Sequence, residues 1–171
     1  MLSPMSGIFR RLLLGSTKTI SGTVYGTIVV MTALAAGGPA FADEPWRLVA
    51  VVVLTAVIFW FAHVYADGLG ESIALGRRLD ISELEAIARR EVSILLAVVL
   101  PALALILGAI GVIGYASAVW LAVGVGTATL AAQGVRYAQV EGLGPAGTAL
   151  TIGVNLALGL AIVGLKLVFA H

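Results

Sequence analysis

Cysteine is absent from the chain, which excludes disulfides, thiolate metal sites and cysteine nucleophiles and leaves the redox compartment undetermined. Charge is scarce as well. Only 11% of the residues are Asp, Glu, Lys or Arg, against roughly 25% in a soluble domain. No P-loop, zincin motif or nucleophile-base constellation occurs, so the chain is read as non-enzymatic. The formal net charge of +1 is the sum of strongly clustered charges, most of them in the N-terminal arm and one central segment, so no nucleic-acid surface is implied.

What the chain has is apolar surface. With 60% hydrophobic residues and a mean hydropathy of +1.09 over 171 residues, it reads as an all-α, polytopic transmembrane bundle forming a single membrane domain over 1–171. A hydrocarbon core of about 30 Å needs about 20 mostly apolar residues per helix. Five runs qualify, near 20–40, 46–66, 91–113, 115–135 and 146–169. Arg10, Arg11 and Lys18 precede the first, Arg77, Arg78, Arg89 and Arg90 separate the second and third, and Arg136 separates the fourth and fifth. The opposite side receives only Arg47 and Lys166. The positive-inside rule therefore predicts a cytoplasmic N-terminus, with a basic cytoplasmic arm at 1–18, and an external C-terminus, and the plasma membrane is the expected location.

The first run admits a second reading. Basic residues, the stretch IVVMTALAA, a Gly37-Gly38-Pro39 breaker and Ala40-Phe41-Ala42 also match a secretory signal with an A-x-A cleavage site, which would leave four spans. Against this, Ser21 to Thr27 extend the helical stretch to about the length of a span. Between the second and third runs, residues 67–90 are too polar to span and form a cytoplasmic helical hairpin. The second helix is expected to run to about Arg78, with a turn at Leu79-Asp80-Ile81. A Ser82/Glu85 capping box then restarts a helix, a Glu85–Arg89 pair supports it, and no breaker separates Arg89-Arg90-Glu91 from the third span. Gly22 and Gly26 form G-x-x-x-G, read first as close packing within one subunit and second as a homodimer face.

His63, Asp67 and Glu71 recur at intervals of four, so they share one helical stripe where the second span leaves the bilayer. Counted from Trp46 at about 1.5 Å per residue, His63 lies about 25 Å down, inside the boundary, with Asp67 at the headgroups and Glu71 beyond. Imidazole and carboxylates suit a divalent cation, and a His followed by acids suits a proton relay. The three residues are the candidate cation or proton site. No cofactor is required beyond a possible divalent cation. The bland reading is an aqueous helix end with His63 in an interfacial belt beside Trp60 and Tyr65. Asn155 is read as bonding a neighbouring helix, and Thr23 and Thr27 as bonding their own.

Five spans, an inside N-terminus, the cytoplasmic hairpin, YGTIVVMTALAAGG in the first span, Gly70-Glu71 in the second and Pro101 in the third together resemble the vacuolar iron transporter family. The resemblance implies a dimer that exports Fe2+ or Mn2+ from the cytoplasm against protons, with Glu71 as a ligand. The chain departs from that pattern in having Tyr25 where the family's first helix carries an aspartate. Its only methionines are Met1, Met5 and Met31, and Glu83 and Glu85 do not make the family's E-x-x-E pair. The expected function is small-cation or proton transport with lipid and a possible second copy as partners. The alternative is a non-transporting membrane scaffold that binds other proteins.

Overall fold

The computed structural model describes residues 17–169, which form six helices and no strand. We number them α1 (Thr17–Gly37), α2 (Pro45–Leu75), α3 (Ile81–Arg90), α4 (Ser93–Ala109), α5 (Tyr115–Glu141) and α6 (Pro145–Phe169). The basic arm expected at 1–18 lies, but for its last two residues, outside the described range, as does the side chain of Lys166. Helices α1, α2 and α5 are each long and apolar enough to cross a bilayer, and the bent pair α3–α4 makes a possible fourth span. In α6 the apolar part described runs over Pro145–Ala161. The chain is an integral membrane protein of α-helices.

Helix boundaries follow local chemistry. Pro45 opens α2, where its missing N–H costs nothing. Gly76 closes it at φ 62°, a left-handed cap in which the Gly76 and Arg77 amides return to Ile73 and Ser72 carbonyls. At 31 residues α2 is about 46 Å long, so its last turns project well beyond a hydrocarbon core of about 30 Å. It ends three residues before the Arg78 expected from the sequence.

Helix α3 starts two residues earlier than expected. Its cap is Asp80, not Ser82: Asp80 Oδ1 accepts from the Glu83 amide at 2.8 Å, and Glu83 Oε2 accepts from the Asp80 amide at 2.9 Å. Ser82 donates its hydroxyl to Asp80 and so supports that box instead of forming its own. Arg77 grips Glu83 at 2.7 Å, which adds a charge pair to the earlier register alone. The Glu85–Arg89 pair is present at 2.5 Å.

The continuous helix expected from Ser82 into the third span is also corrected. α3 and α4 are separated at Glu91-Val92 and bent by 44°, with the Ile94 amide reaching back only three residues to the Glu91 carbonyl. The break lets two neighbours be satisfied at once. Arg90 turns toward α2, while Ser93 and Ile94 press against α1.

Helix α1 is the centre of the bundle, packing on α2, α4, α5 and α6. It supplies Val30, Met31 and Leu34 to a core shared with Leu48 and Val52 of α2, Val98 and Leu105 of α4, and Val119 and Leu130 of α5. Glycine sets the closeness of approach. A Cβ on Gly26 would lie 2.7 Å from the Ile94 carbonyl oxygen, and one on Gly134 2.9 Å from the Ile152 Cα, so α1–α4 and α5–α6 meet backbone to backbone. Gly22 and Gly26 thus serve packing within the subunit, the first of the two readings of their spacing. Asn155 donates to the Leu130 carbonyl at 3.2 Å, and the Thr23 and Thr27 hydroxyls bond back four residues, as expected.

Two outcomes follow from this packing. Gly26→Leu should destabilise the protein by about 1–3 kcal/mol through overpacking, whereas Gly124→Leu, with open space at its Cβ, should leave stability within about 0.5 kcal/mol; thermal unfolding in one detergent compares them. The Glu83 amide and the Ser82 hydroxyl, its donors, hold the Asp80 carboxyl below its usual range, and Arg77 does the same for Glu83. Lowered folded values mean that the cap's contribution is complete above a pH of about 4 and fades as pH falls through them. Protection of α3 amides against hydrogen exchange should therefore drop in acid for the native chain and drop less in Asp80→Ala, where only the Arg77–Glu83 pair still titrates.

Candidate functional site

The candidate stripe on α2 is divided between two neighbours. His63 turns toward α1, where its ring meets Tyr25 at a centroid distance of 4.4 Å and an interplanar angle of 46°; Phe59 stands 5.9 Å from the same Tyr25. It is half-buried against a protein partner. Trp60 is likewise engaged, donating its indole N–H to the Ala88 carbonyl at 3.2 Å, while Tyr65 is 71% exposed. Of the aromatic residues flanking His63, Trp60 is thus held by α3 while Tyr65 stands free of the protein surface.

Asp67 and Glu71 turn toward α3. Arg90 Nη2 donates to Asp67 Oδ2 at 3.1 Å and to Glu71 Oε1 at 2.9 Å. One guanidinium nitrogen therefore straps two turns of α2 to the end of α3, giving one N–H to each carboxylate. The strap is set by α2 and α3 lying side by side, with Leu84 seated on Gly68, where a Cβ would come within 3.1 Å of it.

Sequence reasoning missed a further member. Glu91, in the bend, is only 7% exposed, and its Oε1 lies 3.5 Å from Arg90 Nε. That separation is a charge contact beyond hydrogen-bond range, and Arg90 Nε has no hydrogen-bond partner among the described residues. Ser93 Oγ, 2% exposed and close against Gly22, is also buried without a partner. The available signal was Glu91's position: a carboxylate at the first turn of an apolar run is costly to carry into a membrane. Tyr25 carried a signal too, as an aromatic hydroxyl facing the membrane depth of His63.

These groups share a cavity. About 510 Å3 opens between α1, α2 and the α3–α4 bend, lined by Ser21, Gly22, Val24, Tyr25, Ile28, His63, Asp67 and Glu91. Glu71 is not part of its lining and is held by Arg90. The formal count in the cluster around Arg90 is three carboxylates against one guanidinium, two net negative charges with His63 neutral. Chemically, the arrangement can attract a cation, and its imidazole can take up a proton. Among the described residues no group of three or more His, Asp and Glu side chains is arranged to hold a metal ion. Comparison with protein-family models, with curated proteins and with solved structures finds no match.

Replacing Arg90 by Gln should release α3 from α2. We expect a loss of about 1 kcal/mol, modest because all three partners are partly exposed, with faster hydrogen exchange over 81–90 and unchanged protection in α5. Equal exchange across the chain would assign Arg90 no local role.

Proposed function

We propose that the protein moves a small cation across the membrane, a proton above all, with His63, Asp67 and Glu91 as its loading site. The observation that carries this reading is the cavity in which an imidazole and two carboxylates on different elements meet at one end of the bundle. Arg77, Arg78, Arg89 and Arg90 lie at that same end, which the positive-inside rule reads as cytoplasmic. Five spans, a retained first helix and a plasma-membrane location belong to the same proposal. Imidazole is the side chain whose charge changes near neutral pH, so His63 suits proton loading. The proton needs only one such group. A divalent cation, the cargo implied by the resemblance to vacuolar iron transporters, needs more ligands than this cavity gathers, and Glu71 would first have to leave Arg90. A second copy would complete the dimer which that resemblance implies.

A non-transporting scaffold is the second reading, favoured by the dry core beyond Tyr25. Val30, Leu34, Val52, Ala102 and Leu105 offer no polar route onward. Proteoliposomes carrying a trapped pH dye separate the two. Transport expects proton flux that falls about ten-fold or more in His63→Ala and Glu91→Gln and less in Glu71→Ala, which is not part of the cavity lining. Flux that ignores all three substitutions removes the site; absence of flux for protons and Mn2+ alike leaves the scaffold.

A further inference from the structure

The loading cavity has a second one beside it. About 560 Å3 of groove runs along α1 and α2 from Tyr25 toward the far end, and the two cavities share Tyr25 and Ile28. Its walls are apolar: Ile28, Ala33, Ala36 and Gly37 on α1, then Phe41 and Phe59. Small residues on α1 make it deep. Of its polar groups, the Thr32 hydroxyl is already spent on the Ile28 carbonyl. From Tyr25 to Ala36 the groove is about 16 Å long, and it lies on the flank of the bundle. Side by side across Tyr25 and Ile28, the two make a trough with an apolar body and an acidic head. Another groove, between α1, α5 and α6, lacks that contrast, since no charged side chain lines it.

The geometry points to an amphiphile with a cationic head and a single alkyl tail as the occupant of this trough. The head sits among Asp67, Glu91, Tyr25 and His63, and the tail lies along Ala33, Ala36 and Phe59. Charge selects it. A phospholipid head would bring a phosphate against a cluster with two net negative charges, whereas an ammonium gains the carboxylates and the Tyr25 ring face, within reach of cation–π attraction. An uncharged tail alone would fill only the apolar part. This inference rests on the reading of Asp67 and Glu91 as a cation site, but not on transport.

Binding is measured on the full chain in a neutral maltoside detergent by native mass spectrometry, with dodecyltrimethylammonium below its micellar concentration as probe. The expected result is one saturable equivalent, bound about ten-fold more tightly than dodecylphosphocholine or dodecyl sulfate. Glu91→Gln should weaken it about ten-fold. Ala36→Trp, an exposed position in the groove about three turns of α1 from Tyr25, should weaken the dodecyl compound while leaving the weaker binding of hexyltrimethylammonium unchanged. Binding that ignores head charge, or that neither variant alters, overturns the inference. So does rapid disulfide formation between two Ala36→Cys chains in liposomes, which would put a second copy in the trough. Proton flux without amphiphile binding discards this inference and leaves the transport reading; binding without flux does the reverse.

Discussion

The close approach of α1 to α4 is the constraint from which the rest of the molecule is built. At Gly26 there is room for hydrogen alone, because the Ile94 carbonyl of the neighbouring backbone occupies the place of a side chain. In a bilayer no hydrophobic force draws helices together, so contact of this kind, with its dispersion and fixed backbone distance, must supply the attraction. It also fixes where α4 begins. Ser93 and Ile94 are held against α1, and the two residues before them must turn away to bring α3 onto α2. The bend at Glu91-Val92, and the burial of Glu91 within it, are consequences of a glycine contact one helix away.

The same bend concentrates charge where it is least easily dissolved. Arg90 answers Asp67 and Glu71 by hydrogen bonds and Glu91 only by proximity, so the cluster retains a surplus of negative charge beside an aromatic pair. Fully paired charges would make a passive strap. An incompletely paired carboxylate at low exposure raises the affinity of its surroundings for anything positive, since the interaction is weakly screened there. That physical bias is common to a proton, a metal ion and an ammonium head, and size, ligand count and apolar surface decide among them.

Much of the fold was legible in the sequence because lipid imposes a simple code. Apolar runs marked the helices, Glu85–Arg89 announced itself by spacing, and the amide of Asn155 had to find a carbonyl. The α3–α4 break was not legible. No proline or glycine marks it, and its cause is tertiary, lying in α1 and α2. The capping register was ambiguous for a different reason: LDISELE contains two overlapping boxes, Asp80 with Glu83 and Ser82 with Glu85, and the arginine that favours the first lies before the turn. At the site, helical periodicity correctly aligned His63, Asp67 and Glu71 but could not show that α1 takes one and α3 the other two. Glu91 was hidden because it was read as the polar start of a helix that in fact stops there.

The central place of α1 has a consequence for how the chain is made. Of the described helices it leaves the ribosome earliest, yet α4, α5 and α6, which cover much of its surface, come last. At about 5–20 residues per second, several seconds separate the synthesis of Gly26 from that of Ile94. During that interval the notch waits in lipid or against the insertion machinery, open to any small-residue helix that passes. Helix α2 can dock on α1 as soon as it is made, but the faces of α1 that α4, α5 and α6 cover stay open until those later helices arrive.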